Sequence, residues 1–183
     1  MDSLPHHLNA SAAMPAWLIA ELRSDHAGET GAVMIYRGIL AVTRDPALRD
    51  VATRHRATEE GHLTLLEEIL PPARRSRLLP LWRLAGWLTG AIPALFGPRA
   101  VYATIDAVES YVDHHYRQQI DRLQAEGRLP ELRAVLDRCR EEEVHHRDEA
   151  RSLSARPPGL WLRLWCKLVD RGSRAAVAAA RRF

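Results

Sequence analysis

REEEVHHRDEA, residues 140–150, holds two overlapping Glu-x-x-His pairs: Glu142 with His145, and Glu143 with His146. Residues three apart share one side of a helix, so either pair has a spacing that can hold a metal ion. The period of the neighbouring residues selects one of them. An inward stripe on a bundle helix advances by alternating steps of three and four. Leu136, Cys139, Glu143, His146, Ala150 and Leu153 form such a stripe, small or apolar apart from the Glu and the His. The stripe through Glu142 and His145 also carries Arg138, Glu149 and Ser152, which reads as a solvated face. Glu143 and His146 are therefore expected to point into a core, and Glu142 and His145 away from it.

The pattern recurs in TEEGHLTLLEEI, residues 58–69. Ala52, His55, Glu59, His62, Leu66 and Ile69 make the inward stripe, and Glu60 is shifted off it. Two other helical segments each offer one inward carboxylate. The stripe Leu22, His26, Glu29, Val33, Tyr36, Leu40 presents Glu29, and Tyr102, Ile105, Glu109, Val112, Tyr116 presents Glu109. Each half of the chain thus supplies one Glu followed by one Glu-x-x-His, an internal repeat. Four buried carboxylates without counter-charges would repel and take up protons, and two divalent or trivalent cations remove that conflict. Oxygen and imidazole donors without thiolate favour iron or manganese over structural zinc. Glu59 and Glu143 are expected to bridge two iron ions. Glu29 and His62 would complete one, and Glu109 and His146 the other.

Strand signals are nearly absent and helical periodicity runs throughout, so the expected fold class is all-α. The expected helices cover residues 15–42, 46–70, 99–126 and 130–154, with a final amphipathic helix at about 160–182. Asp45 is the expected N-cap of the second helix, Pro71 and Pro72 its stop, and Gly127 the C-cap of the third. Short loops make two antiparallel hairpins, joined by a long apolar crossover at about 76–97. That is the ferritin-like four-helix bundle. Residues 1–14 read as a flexible N-terminus, and residues 15–183 as one domain. LLPLWRLAGWLTGAIPALFG, residues 78–97, contains Arg83, two prolines and three glycines. It reads as a pair of short helices on a membrane surface or over the core rather than a span. Trp82, Trp87, Trp161 and Trp165, with Arg74, Arg75, Arg77, Arg171 and Arg174, suit the level of lipid head groups. The charge of +3 and pI near 9.2 are only mildly basic, and nucleic acid is not an expected partner. Two cysteines without framework spacing suggest a reducing compartment.

LRSDHAGETGA (22–32), EEGH (59–62), PLWRLAGWLTG (80–90), AVESYVDHHY (107–116), EEEVHH (141–146) and KLVDRGSRAAV (167–177) resemble the demethoxyubiquinone hydroxylases of ubiquinone biosynthesis. The resemblance covers almost everything after residue 15. It implies a non-haem di-iron monooxygenase that converts 3-demethoxyubiquinol to 3-demethylubiquinol, with O2 as oxygen source and NADH as reductant. The family's six ligands fall on Glu29, Glu59, His62, Glu109, Glu143 and His146. A polyprenyl quinone substrate implies a peripheral membrane protein, expected on the cytoplasmic face of a bacterial inner membrane because the chain shows none of the targeting extension of mitochondrial members. Contacts with other ubiquinone-biosynthesis proteins and self-association are further expectations. Tyr116, and more weakly Tyr36, is a candidate for the substrate pocket. Asp25, Asp106 and Asp113 are candidates for orienting the ligand imidazoles. His26 and His55 read either as such partners or as core histidines. Cys139 reads as core. No glycine-rich nucleotide fingerprint occurs. The alternatives are a ferritin-like iron-storage or ferroxidase protein and a membrane-associated helical scaffold.

Overall fold

The computed structural model describes residues 14–154 and 157–183. The expected flexible segment 1–14 lies, apart from Met14, outside these. Helix α1 (Ala16–Val42) ends at Thr43, and Asp45 caps α2 (Pro46–Ile69) by accepting the Leu48 N–H at 2.8 Å. That bond satisfies one of the free donors of the first turn, where Pro46 needs none. Pro71 and Pro72 stop α2, and a single 3-10 turn (Pro72–Arg74) opens the crossover. After α3 (Leu79–Ala94), α4 (Pro98–Ala125) closes at Glu126 and Gly127. Gly127 has a φ of 59°, the left-handed turn that glycine adopts freely. Helices α5 (Pro130–Leu153) and α6 (Leu160–Ala180) follow. No strand occurs among the described residues. α1 packs against α2 and α4 against α5, giving the two hairpins of a ferritin-like bundle.

The core is split in two along the bundle. One apolar cluster joins Leu18 and Leu22 of α1, Leu65 and Leu66 of α2, Ile120 of α4 and Leu136 of α5. The other joins Ile35 and Ile39 of α1, Leu48 and Val51 of α2, Val101 and Ile105 of α4 and Ala150 of α5. On every helix the Glu or Glu-x-x-His positions fall between the two. A fully buried aliphatic side chain contributes about 1.5–3 kcal/mol, so the two clusters hold the helices in register around a polar layer.

The crossover differs from the expectation of two short helices: α3 is continuous. Gly86 and Gly90 are not breaks, because both sit where α3 lies backbone to backbone on α1. A Cβ on Gly86 would stand 2.3 Å from the Gly31 carbonyl oxygen, and one on Gly90 1.9 Å from that of Ile35. Gly38 of α1 meets the Trp87 carbonyl at 2.2 Å in the same sense. Pro80 falls in the first turn and Pro93 in the last, where a proline interrupts little. Helix α6 packs on α1 and α4 and buries only Val169 and Ala180. The Arg77 N–H donates to the Phe183 carbonyl at 2.7 Å, tying the end of the chain to the crossover. No described helix is long and apolar enough to cross a membrane.

Gly90→Ala should lower stability by about 1–3 kcal/mol, since the obstacle is fixed backbone. Gly28, mid-helix with nothing within 4 Å of its missing Cβ, should gain about 0.5–1 kcal/mol on substitution by Ala. Urea unfolding of the two variants checks both signs.

Candidate metal centre

Glu29 (α1), Glu59 and His62 (α2), Glu109 (α4), and Glu143 and His146 (α5) are all buried in the polar layer. One donor atom from each of Glu29, Glu59, His62 and Glu143 lies within 4.8 Å of the others, and the same holds for Glu59, Glu109, Glu143 and His146. The two sets share Glu59 and Glu143. His62 Nδ1 stands 3.0 Å from Glu143 Oε1, 3.6 Å from Glu59 Oε2 and 3.8 Å from Glu29 Oε2. His146 Nδ1 stands 3.0 Å from Glu59 Oε1 and 3.4 Å from Glu143 Oε2. Both oxygens of Glu59, Oε2 of Glu143 and Nδ1 of His146 are buried without a hydrogen-bond partner. Buried polar atoms almost always have one, and these orphaned oxygens and nitrogen are donors able to hold a cation. Oxygen and imidazole nitrogen donors suit iron.

Crowding sets the protonation of the cation-free cluster. Burial pushes the Glu109 carboxyl well above the usual carboxylate range, and Glu143 and Glu59 push it the same way. For both histidines burial opposes the charge, but carboxylates outweigh it. His62 is driven upward by Glu142, Glu143, Glu29 and Glu59. His146 rises to about 9 through Glu143 and Glu59.

Two tyrosines close the layer crosswise. The Tyr116 hydroxyl (α4) donates to Glu29 Oε1 at 2.6 Å, and the Tyr36 hydroxyl (α1) donates to Glu109 Oε1 at 3.3 Å. Tyr36 thus matches Tyr116 in holding a carboxylate, though of the two only Tyr116 lines the adjoining cavity, and the sequence carried the signal: each lies seven residues after the cluster Glu of its helix. His55 lies behind this layer. Its Nδ1 is 3.2 Å from the Tyr36 hydroxyl, its Nε2 is 2.6 Å from Glu149 Oε2, and its ring stacks on His146 at 3.9 Å between centroids. His26 is 3.5 Å from Glu67 and touches no donor of the cluster.

The three aspartates expected behind the imidazoles are elsewhere. Asp25 meets His115 at 2.9 Å and Gln119 at 2.8 Å. Asp106 takes Arg151 and Ser110, and Asp113 gathers Arg117, Arg140 and Arg147. The carboxylate that does meet a cluster imidazole is Glu142, whose Oε2 is 2.5 Å from His62 Nε2. The stripe reading put Glu142 on the solvated face. Its side chain is indeed 47% exposed, yet its tip folds back across the hairpins to α2. Cys139 is core, its thiol raised to about 12 by burial.

A cavity of about 350 Å3 reaches Glu29, Glu109, Glu143 and Tyr116. Its walls come from α1, α3, α4 and α6, and they are mostly apolar or small. Exposed Ala85 on α3 and Leu168 and Gly172 on α6 are among its lining and place its mouth between those helices. Leu81, Leu84, Leu88 and Ile92 of α3, with Leu95 at its C-cap, and Trp161, Leu164 and Leu168 of α6 form exposed apolar stripes on the same two helices. Of the four tryptophans singled out in the sequence, only Trp161 is fully exposed. Trp82, Trp87 and Trp165 are half-buried, and Trp165 gives its indole N–H to Thr104 at 2.9 Å. Arg75 and Arg174 are paired with Glu67 and Asp170.

The family model described as ubiquinone biosynthesis protein COQ7 matches residues 16–180. The 3-demethoxyubiquinol 3-hydroxylase of Rhodospirillum rubrum is 44% identical over 138 residues, 73% of this chain and 64% of that protein. The mitochondrial NADPH-dependent 3-demethoxyubiquinone 3-hydroxylase of Rattus norvegicus is 34% identical over 166 residues, 88% of this chain and 76% of its own length. The namesake protein of Caenorhabditis elegans is 30% identical over 167 residues, 88% of each chain.

The cation-free chain should lose stability as pH rises. A His146 pKa raised to about 9 stabilises the fold fully below about pH 6.5, the free imidazole value, and that contribution is lost as pH climbs through 9. Glu109, also raised, acts in the same direction. Between pH 6.5 and 9 the unfolding free energy should fall by about 3 kcal/mol from His146 alone. Urea titrations of chelator-treated protein measure this, and added metal should flatten the dependence.

Proposed function

The chain belongs to the COQ7 family of ubiquinone biosynthesis proteins, and on that premise we propose that it is a non-haem di-iron monooxygenase. Its reaction would be hydroxylation of the ring of a demethoxyubiquinone intermediate, 3-demethoxyubiquinol to 3-demethylubiquinol. The reading rests above all on two overlapping donor sets at the inner end of an apolar cavity. In it Glu29, Glu59, His62 and Glu143 would hold one iron ion and Glu59, Glu109, Glu143 and His146 the other, with Glu59 and Glu143 common to both sets. Four carboxylates then balance the charge of two divalent ions, which relieves the repulsion within the layer. The bound iron pair supplies the electrons that activate O2.

The side chains have distinct tasks. Tyr116 and Tyr36 hold Glu29 and Glu109 by their hydroxyls and fix the orientation of the two end carboxylates. Apolar groups from α1, α3 and α4, among them Ile35, Ala85 and Val112, keep water from the ring. A volume of about 350 Å3 is within the range of small-molecule sites and suits a quinone head group. The polyprenyl tail leaves through the mouth between α3 and α6. The leucine stripes there rest on a membrane surface, and the chain is peripheral to it. The reading puts the chain on the cytoplasmic face of a bacterial inner membrane. The reductant is a reduced nicotinamide. The resemblance implies NADH, whereas the mitochondrial relatives are named for NADPH.

Wild-type protein should bind two Fe(II) per chain. Glu59→Ala or Glu143→Ala should lose both, because each would bridge, and neither should restore ubiquinone to a bacterium lacking its own demethoxyubiquinone hydroxylase. Accumulated demethoxyubiquinone in the quinone extract is the readout. Restoration by Glu59→Ala would sink the proposal. For the membrane face, Leu84→Glu combined with Leu164→Glu should weaken co-sedimentation with anionic vesicles about tenfold while leaving iron stoichiometry unchanged.

A further inference from the structure

We infer that Glu142 makes the two metal positions unequal, by locking His62 so that the Glu29/His62 position binds its ion the more tightly. The inference rests on the proposed di-iron centre and concerns how its two halves differ. His62 turns Nδ1 toward Glu143, Glu59 and Glu29, and gives its other nitrogen, Nε2, to Glu142 Oε2 at 2.5 Å. A carboxylate on the far nitrogen of a ligating imidazole fixes its tautomer, places the proton on Nε2 and leaves the Nδ1 lone pair for the metal. It also makes that lone pair more basic. His146 also turns Nδ1 to the cluster. Its Nε2, however, meets no carboxylate among the described residues. The internal repeat explains why. Glu142 precedes the bridging Glu143, and the residue that precedes Glu59 is Thr58, which has no carboxylate to offer. His146 is steadied instead by the stacked His55 ring, which Glu149 anchors at 2.6 Å. Stacking restricts rotation but does not set a tautomer or add basicity. Glu142 is a positioning residue: it acts on the metal only through His62.

Anaerobic Fe(II) titration of chelator-stripped protein against a competing chelating indicator tests this. Wild type should take up two equivalents with unequal affinities. Glu142→Ala should weaken the tighter equivalent by about ten- to a hundredfold and leave the other in place. Glu142→Gln, which keeps an acceptor oxygen but not the charge, should fall between, and the neighbouring His145→Ala should match wild type. Far-UV circular dichroism of the stripped Glu142→Ala chain, matching wild type, separates positioning from a general loss of fold. Wild-type affinities in Glu142→Ala, or equal weakening of both equivalents, would overturn the inference. A folded wild-type chain that binds no Fe(II) would instead overturn the di-iron centre itself.

Discussion

Four carboxylates and two imidazoles share one dry layer, and the rest of the molecule is arranged around that constraint. Like charges a few ångströms apart in a medium of low dielectric repel by several kcal/mol, and protonation or a cation is the only relief. The fold keeps the layer in place by sandwiching it between two apolar clusters that grip every bundle helix above and below. The cluster therefore need not be stable by itself. Its cost is met by aliphatic burial elsewhere, and binding of cations returns part of it. A site assembled under such strain before the metal arrives has little freedom to rearrange on loading, which favours a fixed pair of coordination positions.

The layer is nearly two-fold symmetric. α1 and α4 each give one Glu and, seven residues on, the tyrosine that holds the other helix's Glu. α2 and α5 each give one Glu-x-x-His. The departures from symmetry are at the outer edge. Glu142 backs His62, His55 stacks on His146, and the cavity touches α1, α4 and α5 but takes no lining from α2. One face of the centre is thereby open to a substrate, and the other is closed by the His55–Glu149–Arg54 network.

The period of the stripes was enough to read the hairpins and the burial of Glu29, Glu59, His62, Glu109, Glu143 and His146. Those residues sit on regular helices whose inward face is a property of spacing. Glu142 was not legible for the same reason. Spacing reports where a Cβ points, whereas a long Glu side chain reaches back over a helix edge to a partner 80 residues away. Asp25, Asp106 and Asp113 looked suitable because they lie near the ligands in sequence. Each is claimed by a partner the sequence does not place near it: His115, Arg151 or Arg140. Gly86 and Gly90 look like breaks until Gly31 and Ile35 of α1 are seen pressed against them.

That contact also links the fold to the proposed reaction. Because α3 meets α1 through glycines, it lies close enough to wall the cavity with Trp82, Ala85 and Thr89, while its opposite face stays bare. α6 does the same from the other side, buried only at Val169 and Ala180 and showing Trp161, Leu164 and Leu168 outward. A four-helix bundle alone encloses its carboxylates and gives an apolar molecule no dry route to them. Two added helices, each thin on its inner face and greasy on its outer one, supply that route. An exposed leucine stripe is unfavourable in water and favourable against lipid. On the proposed reading, the surface that would steady the protein on a bilayer is the same surface through which a lipid-soluble ring would enter. Docking and substrate access need no separate device, and loss of either stripe would be felt in both.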